Sequence, residues 1–317
     1  MSTTYRVILA GGSGFLGALL AEHFAKQQKE VVILTRTPQA GNRFAREVGW
    51  DGVTRGAWTR ELDGALALIN LAGRSVNCRY HARNRNAILT SRVNSTRLLG
   101  DAIARSSVPP RVWLNSSTAT IYKHSLDRPM DEATGEFGAS AEAKDVFSVA
   151  VANAWERALA ESEVPHTRKV ALRTAMVFGR REGTVFHVLR RLVRCGLGGR
   201  MGDGHQYVSW IHQEDFCRGI DWLLQHESLS GPVNLAAPHP VTNAELMRTL
   251  REICEVPIGL PSTRWMLEAG AFLLRTETEL VIKSRRVIPA RLMASGFEFR
   301  FPLIREALED LTIHSSA

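Results

Sequence analysis

Near the N-terminus an unbroken apolar run, Val7-Ile8-Leu9-Ala10, stops at Gly11-Gly12-Ser13-Gly14. Apolar residues then return at helical spacing through Phe15-Leu16-Gly17 and Ala18-Leu19-Leu20-Ala21-Glu22-His23-Phe24. The pattern predicts a buried strand, a tight turn and a helix. Strand-like runs recur at Glu30 to Arg36, Val53 to Ala57, Ala65 to Gly73, Arg111 to Ser117, Tyr207 to Ile211 and Ser230 to Ala236. Helical stretches separate them: His81 to Ala104, with Pro109-Pro110 beyond it, then Asp145 to Glu156 and Val185 to Leu189. Thr242 caps a helix from Asn243 to Cys254, and Glu245 completes a capping box. From Ser262 onward the tail reads as mostly helical. Strands alternating with helices at this spacing predict an α/β protein built on a doubly wound parallel sheet.

The first turn carries chemistry. Glycines let the backbone bend sharply and approach a pyrophosphate, while the new helix N-terminus offers free N–H groups to the anion. Strand, glycine turn and helix together are the context of a dinucleotide site. The next strand ends in Thr35 and Arg36, where a carboxylate would hold the ribose hydroxyls of NAD. Arginine suits a 2′-phosphate, with Arg43 able to assist, so the expected cofactor is NADP. The strand at Ala65 ends in Asn70-Leu71-Ala72-Gly73, small enough to pass close to adenine and ribose. Ser116-Ser117-Thr118-Ala119-Thr120-Ile121-Tyr122 lies at the carboxyl end of a central strand, the end that faces the ligand crevice in such sheets.

Composition narrows the setting. The 317 residues are 44% hydrophobic and 23% charged, ordinary for a globular protein. No apolar run approaches the ~20 residues that span a bilayer, and Met1-Ser2-Thr3-Thr4 does not resemble a signal peptide. Cys78, Cys195, Cys217 and Cys254 are scattered without metal-ligand spacing, which fits reduced thiols in the cytoplasm. The net charge of +8 suits acidic small molecules. The basic residues form no tail; the runs Arg79 to Arg97 and Arg190 to Arg200 read equally as solvated helix faces. The expected partner is therefore a small-molecule substrate, with no nucleic acid, no membrane and no metal; a homodimer stays open.

Gly11-Gly12-Ser13-Gly14-Phe15-Leu16-Gly17, Asn70-Leu71-Ala72-Gly73 and Ser117-Thr118-Ala119-Thr120-Ile121-Tyr122 resemble the extended short-chain dehydrogenase/reductase superfamily. So do Leu172-Arg173-Thr174-Ala175-Met176-Val177-Phe178-Gly179 and Tyr207-Val208-Ser209-Trp210-Ile211-His212-Gln213-Glu214-Asp215. More narrowly, the chain is similar to an atypical branch of epimerase-family proteins with a C-terminal domain of unknown function. That tail runs from Leu260-Pro261 through Arg286-Val287-Ile288-Pro289-Ala290-Arg291-Leu292 to Gly296-Phe297-Glu298-Phe299-Arg300-Phe301.

The resemblance implies a Rossmann domain over residues 1–180, with 205–237 returning to it. Residues 181–204 and 238–317 would form a substrate lobe and helical tail. In related enzymes Gly183 to Gly204, with Arg190, Arg191 and Arg194, lines a substrate pocket; Phe297, Phe299 and Phe301 suit core or a dimer contact. The implied cofactor contacts are Gly11, Ser13, Gly14, Phe15, Leu16, Gly17, Thr35, Arg36, Leu71, Ala72, Gly73, Ser116, Ser117, Arg173 and Val177.

The superfamily's chemistry rests on a Tyr acid/base, a Lys four residues on that lowers its pKa, and a Ser or Thr that orients the substrate oxygen. Thr118 takes the last position. Aligned on Trp155-Glu156, the Tyr position falls on Ser148 and the Lys position on Ala152. A serine hydroxyl is a far weaker acid than a phenol. Three substitutes are available: Tyr122, Lys144 one helical turn before Ser148 if the helix already starts there, and His212 with its near-neutral pKa. Each has a plain alternative: packing ring, surface charge, helix cap. Two functions stay open: an NADP-dependent oxidoreductase or epimerase on a small anionic or sugar-like substrate, or a non-catalytic NADP(H) sensor or regulator.

Overall fold

The computed structural model describes residues 5–263, 265–266 and 279–313. Its strands, in chain order, begin with β1 (Arg6–Ala10), β2 (Glu30–Thr35), β3 (Arg46–Gly49), β4 (Ala67–Asn70) and β5 (Val112–Thr118). They continue with β6 (Arg168–Thr174), β7 (Met176–Phe178), β8 (Tyr207–Val208), β9 (Trp210–His212) and β10 (Gly231–Leu235). Between them run α1 (Phe15–Lys26), α2 (Ala82–Ala104), α3 (Val146–Ala160), α4 (Val185–Arg194), α5 (Gln213–Gln225) and α6 (Asn243–Ile253). Seven strands form one sheet in the order β3-β2-β1-β4-β5-β6-β10, every pairing parallel.

The unbroken apolar runs follow from burial of both faces of that sheet. Val7, Leu9, Val31, Ile33 and Ile69 pack on one side with Leu20 and Phe24 of α1 and Phe216 and Ile220 of α5. Ile8, Ala10, Val32, Leu34 and Leu68 pack on the other with Leu99 and Ile103 of α2 and Leu159 of α3. A third cluster joins Phe186 and Val193 of α4, Leu246 and Leu250 of α6, and Leu308 and Leu311 of the terminal helix Ile304–Ile313.

Four local expectations change. The third strand is Arg46–Gly49, not Val53 to Ala57, because Asp51 accepts from the backbone N–H groups of Val53 and Thr54 and curls that segment into a turn. The run from Tyr207 divides into β8 and β9 at Ser209, whose hydroxyl donates to the Arg285 carbonyl and accepts from the Val287 N–H. Lys144 precedes α3 with φ 54°, so it does not share a helical face with Ser148. The tail, read as mostly helical, contains an irregular strap at 283–289 between Glu279–Ile282 and Ala290–Ala294; residues 264, 267–278 and 314–317 lie outside the described residues. Phe297 and Phe301 are core residues, with Phe299 packed against the first cluster. The Thr242 cap is as expected: its hydroxyl accepts from the Glu245 N–H at 3.2 Å.

Candidate functional site

The glycine turn crosses the carboxyl end of β1. Gly11 adopts φ +73°, and a Cβ there would stand 2.7 Å from the Ala72 Cα. Only glycine lets the turn lie against the end of β4 this closely. A Cβ on Gly17 would come within 2.0 Å of the Gly12 carbonyl oxygen, so α1 packs onto the turn itself. Gly14 differs: a Cβ there meets no protein atom within 4 Å. Gly14 is the N-cap of α1, with no side-chain cap and no acidic residue in the first turn. The helix therefore presents uncapped N–H groups and its positive dipole end to open space, a fit for a pyrophosphate.

A cavity of about 660 Å³ opens from this turn. Gly12, Ser13 and Phe15 line one part of it, Thr35 and Arg36 another, and Arg180, Arg181 and Gln213 the far rim. Arg36 is exposed and makes no ion pair among the described residues. Thr35 is buried, and its carbonyl accepts from the Trp50 N–H. Arg43 instead lies 4.5 Å above the Phe44 ring. Gly179 presses on the Phe15 ring, and its would-be Cβ lies 2.3 Å from that ring's edge.

The end of β4 is fixed from inside. Asn70 is fully buried; its Oδ1 accepts from the Ala72 N–H at 3.0 Å and its Nδ2 donates to Asn115 Oδ1 at 2.7 Å. The Leu71 N–H donates to the Ala10 carbonyl at 2.8 Å. Leu71, Ala72 and Gly73 are thus held beside the glycine turn, with Leu16 half-buried at the start of α1.

The end of β5 divides. Ser116 and Thr118 are half-exposed. Thr118 Oγ1 accepts from the Thr120 N–H at 3.1 Å, and its own O–H can still donate. Ser117 is buried and donates to Glu156 Oε1 at 2.6 Å. Glu156 forms a two-pronged pair with Arg173, whose Nη1 donates to the Tyr122 hydroxyl at 2.9 Å. Tyr122 in turn donates to Asn234 Oδ1 at 3.0 Å. Burial pushes the Tyr122 phenol up, with Arg173 opposing it. Ser117, Arg173 and Tyr122 therefore tie α3, β6 and β10 together inside the protein rather than face a ligand. Val177 is half-buried on β7, paired with Ile211.

His212 is fully buried as the N-cap of α5. Nδ1 accepts from the Glu214 N–H and Nε2 faces Asp310 at 3.1 Å. Burial pushes its pKa down, with Asp310 opposing. The cap is its role. Ser148 is half-buried, Ala152 is fully buried against Ala119 and Ile121, and Lys144 is exposed. On α4 Arg190 lies buried beneath Phe186, while Arg191 and Arg194 are exposed.

Two groups carry no local sequence signal. Lys283, from the tail strap, is fully buried with Nζ 2.5 Å from Asp145 and 2.6 Å from the Thr120 carbonyl. Arg92, on α2, reaches the end of β4 and packs on Gly73.

A doubly wound sheet with a glycine turn at its carboxyl edge defines a dinucleotide-binding protein of the extended short-chain dehydrogenase/reductase type. The chain belongs to the NAD dependent epimerase/dehydratase family, whose model matches residues 7–236, and a domain of unknown function, DUF1731, matches 263–311. It is 31% identical to the human epimerase family protein SDR39U1 over 96% of this chain and 99% of that protein. To Bacillus subtilis YfhF, another epimerase family protein, it is 29% identical over 96% and 97%. The crystal structure of human SDR39U1 with NADPH superposes with a TM-score of 0.84 at 28% identity, covering 97% of this chain and 99% of that one.

Proposed function

We propose that the protein is an NADP(H)-dependent enzyme of the oxidoreductase or epimerase type, acting on a small anionic or sugar-like substrate. One observation carries the cofactor: Arg36, exposed and without an acidic partner among the described residues, shares a cavity with the uncapped N-terminus of α1. A carboxylate there would repel a 2′-phosphate, whereas a guanidinium pairs with it. NADPH in the human relative's structure supports the same ligand here. When bound, the nicotinamide supplies or accepts a hydride. The chain's own residues orient the partners: the turn and α1 hold the diphosphate, and the Thr118 hydroxyl donates to a substrate oxygen at the end of β5. The four free cysteines fit a reducing compartment such as the cytoplasm, and no helix among the described residues is long and apolar enough to cross a membrane.

A second reading, a dinucleotide-binding sensor or regulator without turnover, is favoured by the fully buried Ala152 and by the internal hydrogen bonds of Tyr122 and His212. Titration with NADPH and NADH, then incubation of the NADPH complex with aldehydes, ketones and nucleotide sugars, separates the two. Cofactor consumption or altered sugar stereochemistry supports the enzyme. Tight NADPH binding with no reaction across the panel supports the sensor, and failure to bind either dinucleotide overturns both.

A further inference from the structure

Thr120, two residues past Thr118, is held at every polar atom it has. Its N–H donates to Thr118 Oγ1 at 3.1 Å. Its carbonyl accepts from Lys283 Nζ at 2.6 Å, and its Oγ1 accepts from Arg285 Nε at 3.1 Å. The last two partners are buried cations of the tail strap, 163 and 165 residues further along the chain.

The turn needs such help. Ala119–Ile121 is a single turn of 3₁₀ type, and its closing bond, from the Tyr122 N–H to the Ala119 carbonyl, is long at 3.4 Å. A short turn with poor hydrogen-bond geometry does not by itself fix the side chain at its cap. Packing holds one side, where Ala119 and Ile121 lie buried with Ala152 of α3. The strap holds the other with charge-assisted donors, which are stronger than neutral ones. The strap is in turn a fixed reference. The Arg285 N–H donates to the Tyr207 carbonyl on β8 at 2.8 Å, and the Arg285 carbonyl accepts from Ser209 Oγ at 2.6 Å. The neighbouring Ser284 hydroxyl donates to the Ser125 carbonyl at 2.5 Å.

This chain of bonds ends on one hydroxyl. With its carbonyl and side chain held, Thr120 has the direction of its N–H set. That N–H occupies one lone pair of Thr118 Oγ1, so the Thr118 O–H is turned away from Thr120. We infer that Arg285 is a positioning residue of the crevice: acting through Thr120, whose carbonyl Lys283 holds, it fixes the direction in which the Thr118 hydroxyl donates. The inference rests on the reading of Thr118 as the group that meets a substrate oxygen, but the aim of the hydroxyl can be measured apart from its use.

Amide hydrogen exchange of the full chain, resolved by NMR and corrected for intrinsic rates, follows the aim directly, because Thr118 Oγ1 protects the amide at position 120. Thr118→Val sets the rate without that acceptor. Thr120→Val removes only the hydroxyl that Arg285 holds, and Arg285→Met removes the donor. In both, the amide at position 120 should exchange about tenfold faster than in the wild type. Leu114, fully buried in β5, should keep its rate, and Arg285→Lys should recover part of the protection. With a substrate from the aldehyde, ketone and nucleotide-sugar panel, Arg285→Met should lower kcat and leave the KM for NADPH unchanged. An unchanged rate at position 120 in Thr120→Val and Arg285→Met overturns the positioning role. So does equal acceleration at Leu114, which marks a general loss of stability. If Arg285→Met does not fold, Thr120→Val decides. Wild-type turnover by Thr118→Val overturns the substrate role of Thr118 and leaves the exchange result standing.

Discussion

Lys283 and Asp145 form an ion pair with neither side chain exposed to solvent, Nζ 2.5 Å from Oδ2. Asp145 stands at the foot of α3 and also accepts from the Ser140 N–H at 2.7 Å. The same Lys283 Nζ donates to the carbonyl of Thr120, two residues beyond Thr118. One tail residue thus braces both the helix bearing Ser148 and the turn after β5. The superfamily draws its lysine from α3 itself; here α3 contributes Ala152, and the buried ammonium beside the β5 turn comes from the C-terminal strap.

Removing one partner of such a pair leaves an uncompensated buried charge. Lys283→Met should lower stability by about 3–5 kcal/mol, and adding Asp145→Leu should restore part of it. Urea denaturation measures both. An unchanged midpoint in Lys283→Met would show that the strap does not brace the crevice.

The turn glycines should separate by mechanism. Gly14→Ala places its methyl in open space, so the protein should fold normally while NADPH affinity falls. Gly17→Ala drives a methyl into the Gly12 carbonyl and should lower stability as well as binding. Thermal melts beside NADPH fluorescence titrations distinguish them; equal NADPH affinity for wild type and Gly14→Ala would remove the pyrophosphate from this turn.

Arg36→Asp should weaken NADPH roughly tenfold or more while leaving NADH less affected, narrowing the preference between them. Parallel titrations read the ratio. Identical NADPH and NADH affinities in the wild type would sink the 2′-phosphate argument.

Tyr122→Phe strands donors and acceptors on Arg173 and Asn234 and should cost about 1–3 kcal/mol with NADPH affinity unchanged. Retained stability together with lost turnover would restore Tyr122 as an acid/base.

His212 makes stability depend on pH. Its folded pKa lies below the ordinary value because of burial, so below about pH 6.5 the unfolded chain takes up a proton that the folded protein resists. Stability present above that pH is lost as pH falls towards the folded pKa. His212→Asn keeps an acceptor for the Glu214 N–H and should flatten this dependence. Denaturation midpoints at pH 7.5 and 5.5 (about one unit either side of the free imidazole value) provide the comparison, and equal losses in both proteins would exonerate His212.

The sequence by itself determined what consecutive residues encode. Apolar runs broken by glycine specified strand, turn and helix, and Thr242 with Glu245 specified a helix start. Arg36 at the end of β2 specified the charge offered to a cofactor. Each depends on backbone conformation and side-chain chemistry within a few positions. The tertiary structure decided which polar groups meet across the chain. Tyr122, four residues beyond Thr118 in sequence, turns inward because Arg173 and Asn234 arrive from β6 and β10 to satisfy its hydroxyl. His212 is consumed by a helix cap and by Asp310 from the terminal helix. Arg92 meets Gly73 and Lys283 meets Asp145 and the Thr120 carbonyl only because α2 and the tail strap pack where they do. Spacing along a chain carries no record of such meetings, since burial and partnership are fixed by elements that the local pattern does not see.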